Sequence, residues 1–350
     1  MLGAGRERQS REVMSTEAEP EEQVLVHKEF TYINGAVTQV LKCGPWKDLW
    51  KNERAPKVLF LVIPGNPGIV GYYQTFIQTL YFGLNQKYPV WVVSHAGHCK
   101  LPSGMEMAEG KDVPDDVFGL RGQIQHKLSF LKKNVPKDVK LVLIGHSVGC
   151  YIILEIMKYA PGLEVLRSVL LFPTIEHIAQ SPNGKMMTPL LCQLRYVLYV
   201  PVYLMTFLPA RVKNYLVHLA LRGHKHVDET VLITAVDMIN MDCIANVMYL
   251  GSEEMRMITE RNSAIIRQHL KKLTFYYGTG DRWCPVQFYE EMKMEFPDGD
   301  IRLCEKGIPH AFVSTFPKEV AEMVIDWVQD DLARLQMETE HLAESRVQNV

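Results

Sequence analysis

Between residues 57 and 304 the chain repeats one device: a short run of β-branched and aromatic residues closed by glycine or proline, then a longer stretch with helical spacing. Lys57–Ile63 ends at Pro64-Gly65, Val90–Ser94 at His95-Ala96-Gly97, Lys140–Gly145 at its own glycine, and Ser168–Phe172 at Pro173. Leu273–Gly278 and Ile301–Cys304 follow. Runs of this length without alternation suit strands buried on both faces. The stretches 72–82, 120–134, 148–159 and 320–335 have the apolar spacing of helices. Strand alternating with helix predicts an α/β fold with a mostly parallel sheet covered by helices on both faces. Residues 175–270 interrupt the rhythm and read as a helical lid inserted at the rim of the sheet.

Composition agrees with a folded core over most of the length. Hydrophobic residues make up 47% and charged residues 22% of 350. Residues 1–23 hold six Glu and three Arg with few apolar side chains, which predicts a disordered extension. Residues 336–350 read as a polar C-terminal tail, in its plainest form the frayed end of a helix, leaving 24–335 as the folded domain. The 38 basic residues against 40 acidic leave no excess to neutralise phosphates, so nucleic acid is not an expected partner. Seven scattered cysteines without a C-x-x-C pair predict reduced thiols in a reducing compartment. The first residues lack the apolar segment of a secretory signal.

The sharpest motif is Gly145-His146-Ser147-Val148-Gly149, between the run KLVLI and the helical stretch VGCYIILEIMKYA. A serine on a tight strand-to-helix turn is pushed clear of the sheet, and the glycines let helix and strand approach. That context makes Ser147 a candidate nucleophile rather than a structural serine; His146 reads as a packing residue. Such a serine needs a base, and the base an orienting carboxylate, in the chain order Ser, acid, His. Asp281 stands just past the run LTFYYG, where Trp283-Cys284-Pro285 would fix its loop, and His310 follows IRLC in Gly307-Ile308-Pro309-His310. Glu176, after SVLLF, is the main rival acid; Asp298 and Asp300 are weaker ones. His95 and His98 either line the rim or are satisfied loop residues. The loop Pro64-Gly65-Asn66-Pro67-Gly68 offers backbone donors, and the amides of Asn66 and Val148 are the expected oxyanion hole, with Gly65 as the alternative. Neither zinc-hydrolase histidine spacing nor a phosphate-binding glycine motif is present, so no metal and no cofactor is expected.

Residues 190–208 form an apolar stretch with Arg195 as the one charge. Pro201 splits it, and it is too short to cross a bilayer. Leu190, Tyr196, Tyr199, Pro201, Tyr203 and Phe207 mark an element lying in a lipid surface, flanked by Lys185, Arg195, Arg211 and Lys213. A lid helix buried over the serine is the competing reading, and both can hold at once. Either one favours a fatty substrate.

Taken together, Pro64–Gly68, Ser94–His98, Leu141–Ser147, Leu171–Glu176 and Ile308–Phe312 make the chain from about Val24 to Leu332 resemble the lipid droplet-associated hydrolase family. The residues before Met14 fall outside the resemblance. It implies an α/β-hydrolase on lipid droplets and the endoplasmic reticulum, on the cytosolic side. It implies a weakly active serine lipid hydrolase assigned to sterol esters, with a role in cholesterol and neutral lipid homeostasis. Ser147, Asp281 and His310 match the family's triad positions, and the apolar insert its droplet-targeting region. A non-catalytic lipid-surface tether, and acyl transfer or thioester cleavage by the same residues, stay open as alternatives.

Overall fold

The computed structural model describes residues 26–44, 57–110, 113–221 and 227–348. The extension 1–23 and the histidines His224 and His226 lie outside these. Eight strands form one sheet: β1 (Val26–Ile33), β2 (Ala36–Cys43), β3 (Val58–Ile63), β4 (Val90–Val93), β5 (Lys140–His146), β6 (Val165–Leu171), β7 (Leu273–Gly278) and β8 (Asp300–Cys304). Their spatial order is β1-β2-β4-β3-β5-β6-β7-β8. From β4 to β8 every pairing is parallel, while β2 runs antiparallel to β1 and β4.

Six of these strands coincide with the punctuated runs. The β1–β2 hairpin does not. Its turn is Asn34-Gly35, both at positive φ (50° and 73°), the conformation a tight two-residue hairpin requires. The two strands carry Glu29 and Lys42, which pair at 2.6 Å and blur the apolar pattern.

Helices α1 (Gln74–Gly83), α2 (Leu120–Asn134) and α3 (Val148–Tyr159) follow β3, β4 and β5. The lid is α4 (Pro182–Cys192), α5 (Arg195–Thr206), α6 (Ala210–Leu221), α7 (Glu229–Met238), α8 (Met241–Met257) and α9 (Ser263–His269). Helices α10 (Val286–Glu295) and α11 (Pro317–Gln348) complete the chain. Helix α1 packs on α11 and β4, and α3 packs on β3, β5 and β6. Every residue of β2, β3, β4 and β7 is buried, as a sheet covered on both faces demands.

Within the insert, caps set the helix starts. The side chains of Ser181, Asp228, Asn240 and Asn262 each accept a first-turn amide of α4, α7, α8 and α9. One expectation is corrected here. Pro201 does not break the apolar stretch; it sits inside α5, where it lacks the N–H that would bond back to Val197. It also stands on an exposed side, where no neighbouring helix resists the local distortion. Residues 336–348 continue α11, as the helical-end reading of the polar tail has it. Gln336 reaches Glu340 one turn on, the kind of contact that supports a solvated helix.

The elbow glycines answer to space rather than to φ. A Cβ at Gly145 would lie 2.8 Å from the Cys150 nitrogen, and one at Gly149 would overlap the Ile63 carbonyl oxygen. Backbone cannot yield as a flexible side chain does. Gly149→Ala is expected to cost about 3 kcal/mol, measured as the urea midpoint shift at constant slope.

Candidate active site

Ser147 joins β5 to α3 with φ 54° and ψ −122°, a strained conformation for a residue with a side chain. Its amide donates to the Leu171 carbonyl at 3.0 Å, pinning the turn to the neighbouring strand β6. The hydroxyl lies 3.0 Å from His310 Nε2 and 3.4 Å from the Thr174 hydroxyl. On the other side of the imidazole, His310 Nδ1 and Asp281 Oδ2 are 2.6 Å apart. Asp281 Oδ1 accepts amides from Trp283 at 2.7 Å and Cys284 at 3.2 Å. The Trp283-Cys284 turn therefore fixes the carboxylate as expected. Burial pushes the Asp281 carboxyl up, but the facing His310, the Cys284 thiol and the Trp283 amide outweigh it and hold it below its ordinary value. A carboxylate so held takes Nδ1–H and leaves the Nε2 lone pair for the serine proton.

His146 braces the arrangement. Gly65 N–H donates to the Tyr73 hydroxyl at 2.8 Å, and that hydroxyl lies 2.6 Å from His146 Nδ1. His146 Nε2 lies 2.8 Å from the His310 carbonyl oxygen. With Tyr73 donating to Nδ1, Nε2–H donates to that carbonyl, so one neutral ring ties both loops to the elbow. Burial pushes His146 down to about 3, which keeps it neutral at working pH. Tyr73 carried no sequence signal for this role.

In the early loop, a Cβ at Gly65 would sit 3.0 Å from Ser147 Cβ. Its amide is committed to Tyr73, which removes the alternative donor. Among the described residues, the amides of Asn66 and Val148 donate to no protein group. The Asn66 side chain points into the lid, donating to the Val247 carbonyl at 3.0 Å and to Glu254 Oε1 at 2.9 Å. His95 and His98 do not line the rim. Both are wholly buried behind the loop, where His98 Nδ1 accepts the Gly68 amide at 3.0 Å. Glu176 is not the acid of the triad: it pairs with Arg261 at 2.6 Å, and Asp281 holds His310 Nδ1. Asp300 pairs with Arg302 at 2.6 Å.

The lid contact adds a titratable group that no local pattern announced. Burial raises Glu254 from 4.5 to about 7, opposed in part by the Asn66 hydrogen bond. The folded state therefore holds this proton more tightly than the unfolded chain. Stability from the group is full at low pH and falls as pH rises through 7. Glu254→Gln, neutral throughout, is expected to gain ~1–3 kcal/mol on wild type between pH 5 and pH 8, read from urea unfolding at both pH values.

The α5 part of the apolar insert is exposed, while Leu191 at the end of α4 is buried. Helix α5 has no buried residue, which excludes the buried lid helix for this segment. Tyr196, Tyr203 and Phe207 are 69%, 53% and 68% exposed; Pro201 is exposed, and Tyr199 on α5 and Leu190 on α4 are half-buried. No single described helix is long and apolar enough to cross a membrane.

Comparison with known proteins fits this geometry. The family model for lipid-droplet associated hydrolase matches residues 56–313. A chicken (Gallus gallus) protein named lipid droplet-associated hydrolase is 65% identical, covering 90% of this chain and 98% of its own. A human one is 47% identical, covering 91% and 100%. Among solved structures, an epoxide hydrolase from Vigna radiata aligns with TM-score 0.58 at 11% identity, over 87% of this chain and 98% of its own. A lipase described from Acinetobacter baumannii aligns with TM-score 0.57 at 11% identity, over 88% and 93%. These low identities speak for the α/β-hydrolase fold alone. The sequence matches go further: the chain belongs to the lipid droplet-associated hydrolase family.

Proposed function

We propose that this chain is a serine hydrolase of carboxylic esters of apolar lipids, working at the surface of lipid droplets and the endoplasmic reticulum on the cytosolic side. Sterol esters are the favoured substrate, which gives it a part in cholesterol and neutral lipid homeostasis. The observation that carries this reading is the continuous chain from Asp281 Oδ2 through His310 to the hydroxyl of an elbow serine, at 2.6 and 3.0 Å.

His310 Nε2 takes the Ser147 proton as Oγ attacks the ester carbonyl. The Asn66 and Val148 amides hold the oxyanion, aided by the partial positive charge at the start of α3. His310 then protonates the departing alcohol. Water, deprotonated by the same ring, cleaves the acyl-enzyme and restores Ser147. No metal or cofactor enters these steps. The exposed face of α5 supports the surface location, and the droplet-associated names of the relatives agree with it.

A second reading has its own observation. Ser147 is 9% exposed, and the Asn66–Glu254 contact draws the lid over the loop beside it. A large ester enters when the lid moves, and a chain whose lid stays shut acts as a surface tether. Acyl transfer or thioester cleavage would use the same residues. Purified protein presented with emulsions of cholesteryl ester, triacylglycerol and acyl thioester separates these readings. Sterol ester cleavage in preference to the others is the expected result; no turnover of any of them overturns the hydrolase reading.

A further inference from the structure

Cys284 is not used in the chemistry above, yet its thiol lies within the triad. Its Sγ is 3.0 Å from Asp281 Oδ2 and 3.9 Å from His310 Nδ1. Among the described residues these three make the one group whose His, Cys and carboxylate donor atoms lie within reach of a common ion. We propose that Asp281, Cys284 and His310 form a binding site for a thiophilic divalent cation of the zinc class, and that filling it switches the hydrolase off. The proposal rests on the triad reading given above.

Geometry comes first. Separations of 2.6, 3.0 and 3.9 Å put the centre of the triangle about 2 Å from each donor atom. Zinc bonds nitrogen and carboxylate oxygen at about 2.0–2.2 Å and thiolate at about 2.3 Å. Shifts of a few tenths of an ångström suffice. The far carboxylate oxygen stays with the Trp283 and Cys284 amides, and the His310 carbonyl stays with His146. Such outer contacts orient ligands to a metal.

Charge is the second argument. A carboxylate and a thiolate neutralise a dication, so the wholly buried Asp281 and Cys284 would surround a site of zero net charge. Imidazole and thiolate beside the carboxylate also suit zinc, whereas magnesium and calcium take oxygen donors throughout. The His310 side chain, 16% exposed, leaves a way in.

The proton balance explains the inhibition. Cys284 gives up its thiol proton to solvent. His310 stays neutral, but its proton moves from Nδ1, whose lone pair takes the ion, to Nε2. Nε2–H then faces the Ser147 hydroxyl as a donor and accepts no proton. Nothing is oxidised or reduced, and chelation reverses the change. The resting site needs no ion, because Nδ1–H and Oδ2 already satisfy each other.

The test uses the purified full chain, freed of metal and titrated with zinc chloride against a soluble short-chain ester. Each variant's rate is normalised to its own metal-free value. Wild type is expected to lose more than nine-tenths of its rate and to regain it with EDTA. Cys284→Ala should raise the half-inhibitory zinc concentration about tenfold or more, as loss of one of three protein ligands requires. Cys192→Ala, a half-buried thiol elsewhere, should leave it unchanged. Cobalt chloride supplies a readout independent of turnover: a thiolate-to-cobalt charge-transfer band in wild type and Cys192→Ala, absent in Cys284→Ala. Should the alanine variant fail to fold, Cys284→Ser keeps the size of the side chain and must also lose the band. An active enzyme indifferent to zinc, or inhibited equally with and without the thiol, overturns the inference. A chain without turnover that still shows the Cys284-dependent band keeps the metal site and sinks the hydrolase reading instead.

Discussion

Ser147→Ala is expected to abolish labelling by a fluorophosphonate probe and to lower ester turnover by about 10⁴-fold or more. The replacement keeps Cβ and the demanding backbone angles at the elbow, so the fold has no reason to change and the loss reports chemistry. Asp281→Asn should come close, at about 10⁴-fold, by a different route. The two backbone amides that bind Oδ1 would hold the carbonyl oxygen of the new carboxamide in that place. Its NH2 would then face His310 Nδ1 and push the ring proton to Nε2, where it confronts the serine. Turnover surviving both changes would remove the triad. A droplet phenotype in cells that is equal for wild type and Ser147→Ala would instead favour the tether.

The parts of this site that the sequence disclosed share one property: each stands in a recognisable local pattern of its own segment. Ser147 sits between glycines at a strand-to-helix junction, and Asp281 sits in a turn whose next residues bind it. His310 follows a punctuated strand. The parts that stayed hidden depend on contacts across the fold. Asn66 meets Glu254 from the far end of the lid, and Tyr73, in the turn of helix after β3, meets His146 at the end of the neighbouring β5. No local pattern encodes such meetings. Cys284 was legible as a loop residue but not as a neighbour of the imidazole, because that contact exists only once β7 and β8 lie side by side.

The less legible parts of the fold follow the same rule. The hairpin signal Asn34-Gly35 was present, but charges on β1 and β2 diluted the alternation that would have framed it. Pro201 carries the standard helix-breaking signal, and α5 continues through it because its solvent side has no partner to disturb. Helix α11 outruns its apolar spacing because polar side chains can support one another along a solvated helix.

Replacing Val200, Leu204 and Phe207 together by Asp is expected to weaken binding to phospholipid-coated emulsions by about 10³-fold or more. These side chains are 60%, 62% and 68% exposed, so the folded protein gains little from them in water. Sinking each into acyl chains is worth ~1.5–3 kcal/mol, and three such terms exceed the ~4 kcal/mol that a thousandfold change represents. Charge works in the same direction. No Asp or Glu occurs between Glu176 and Asp228, while Lys185, Arg195, Arg211 and Lys213 do. An acid-free face draws anionic headgroups, and three new carboxylates would repel them. The two effects separate by salt: screening should recover only the electrostatic part of the loss. Hydrolysis of a soluble short-chain ester should stay within about twofold of wild type, since exposed substitutions disturb folding little. Flotation with emulsion droplets measures the first quantity and a cuvette assay the second. Equal flotation of the two proteins would take α5 out of the lipid surface, and joint loss of flotation and soluble-ester turnover would mean that α5 supports the catalytic domain instead.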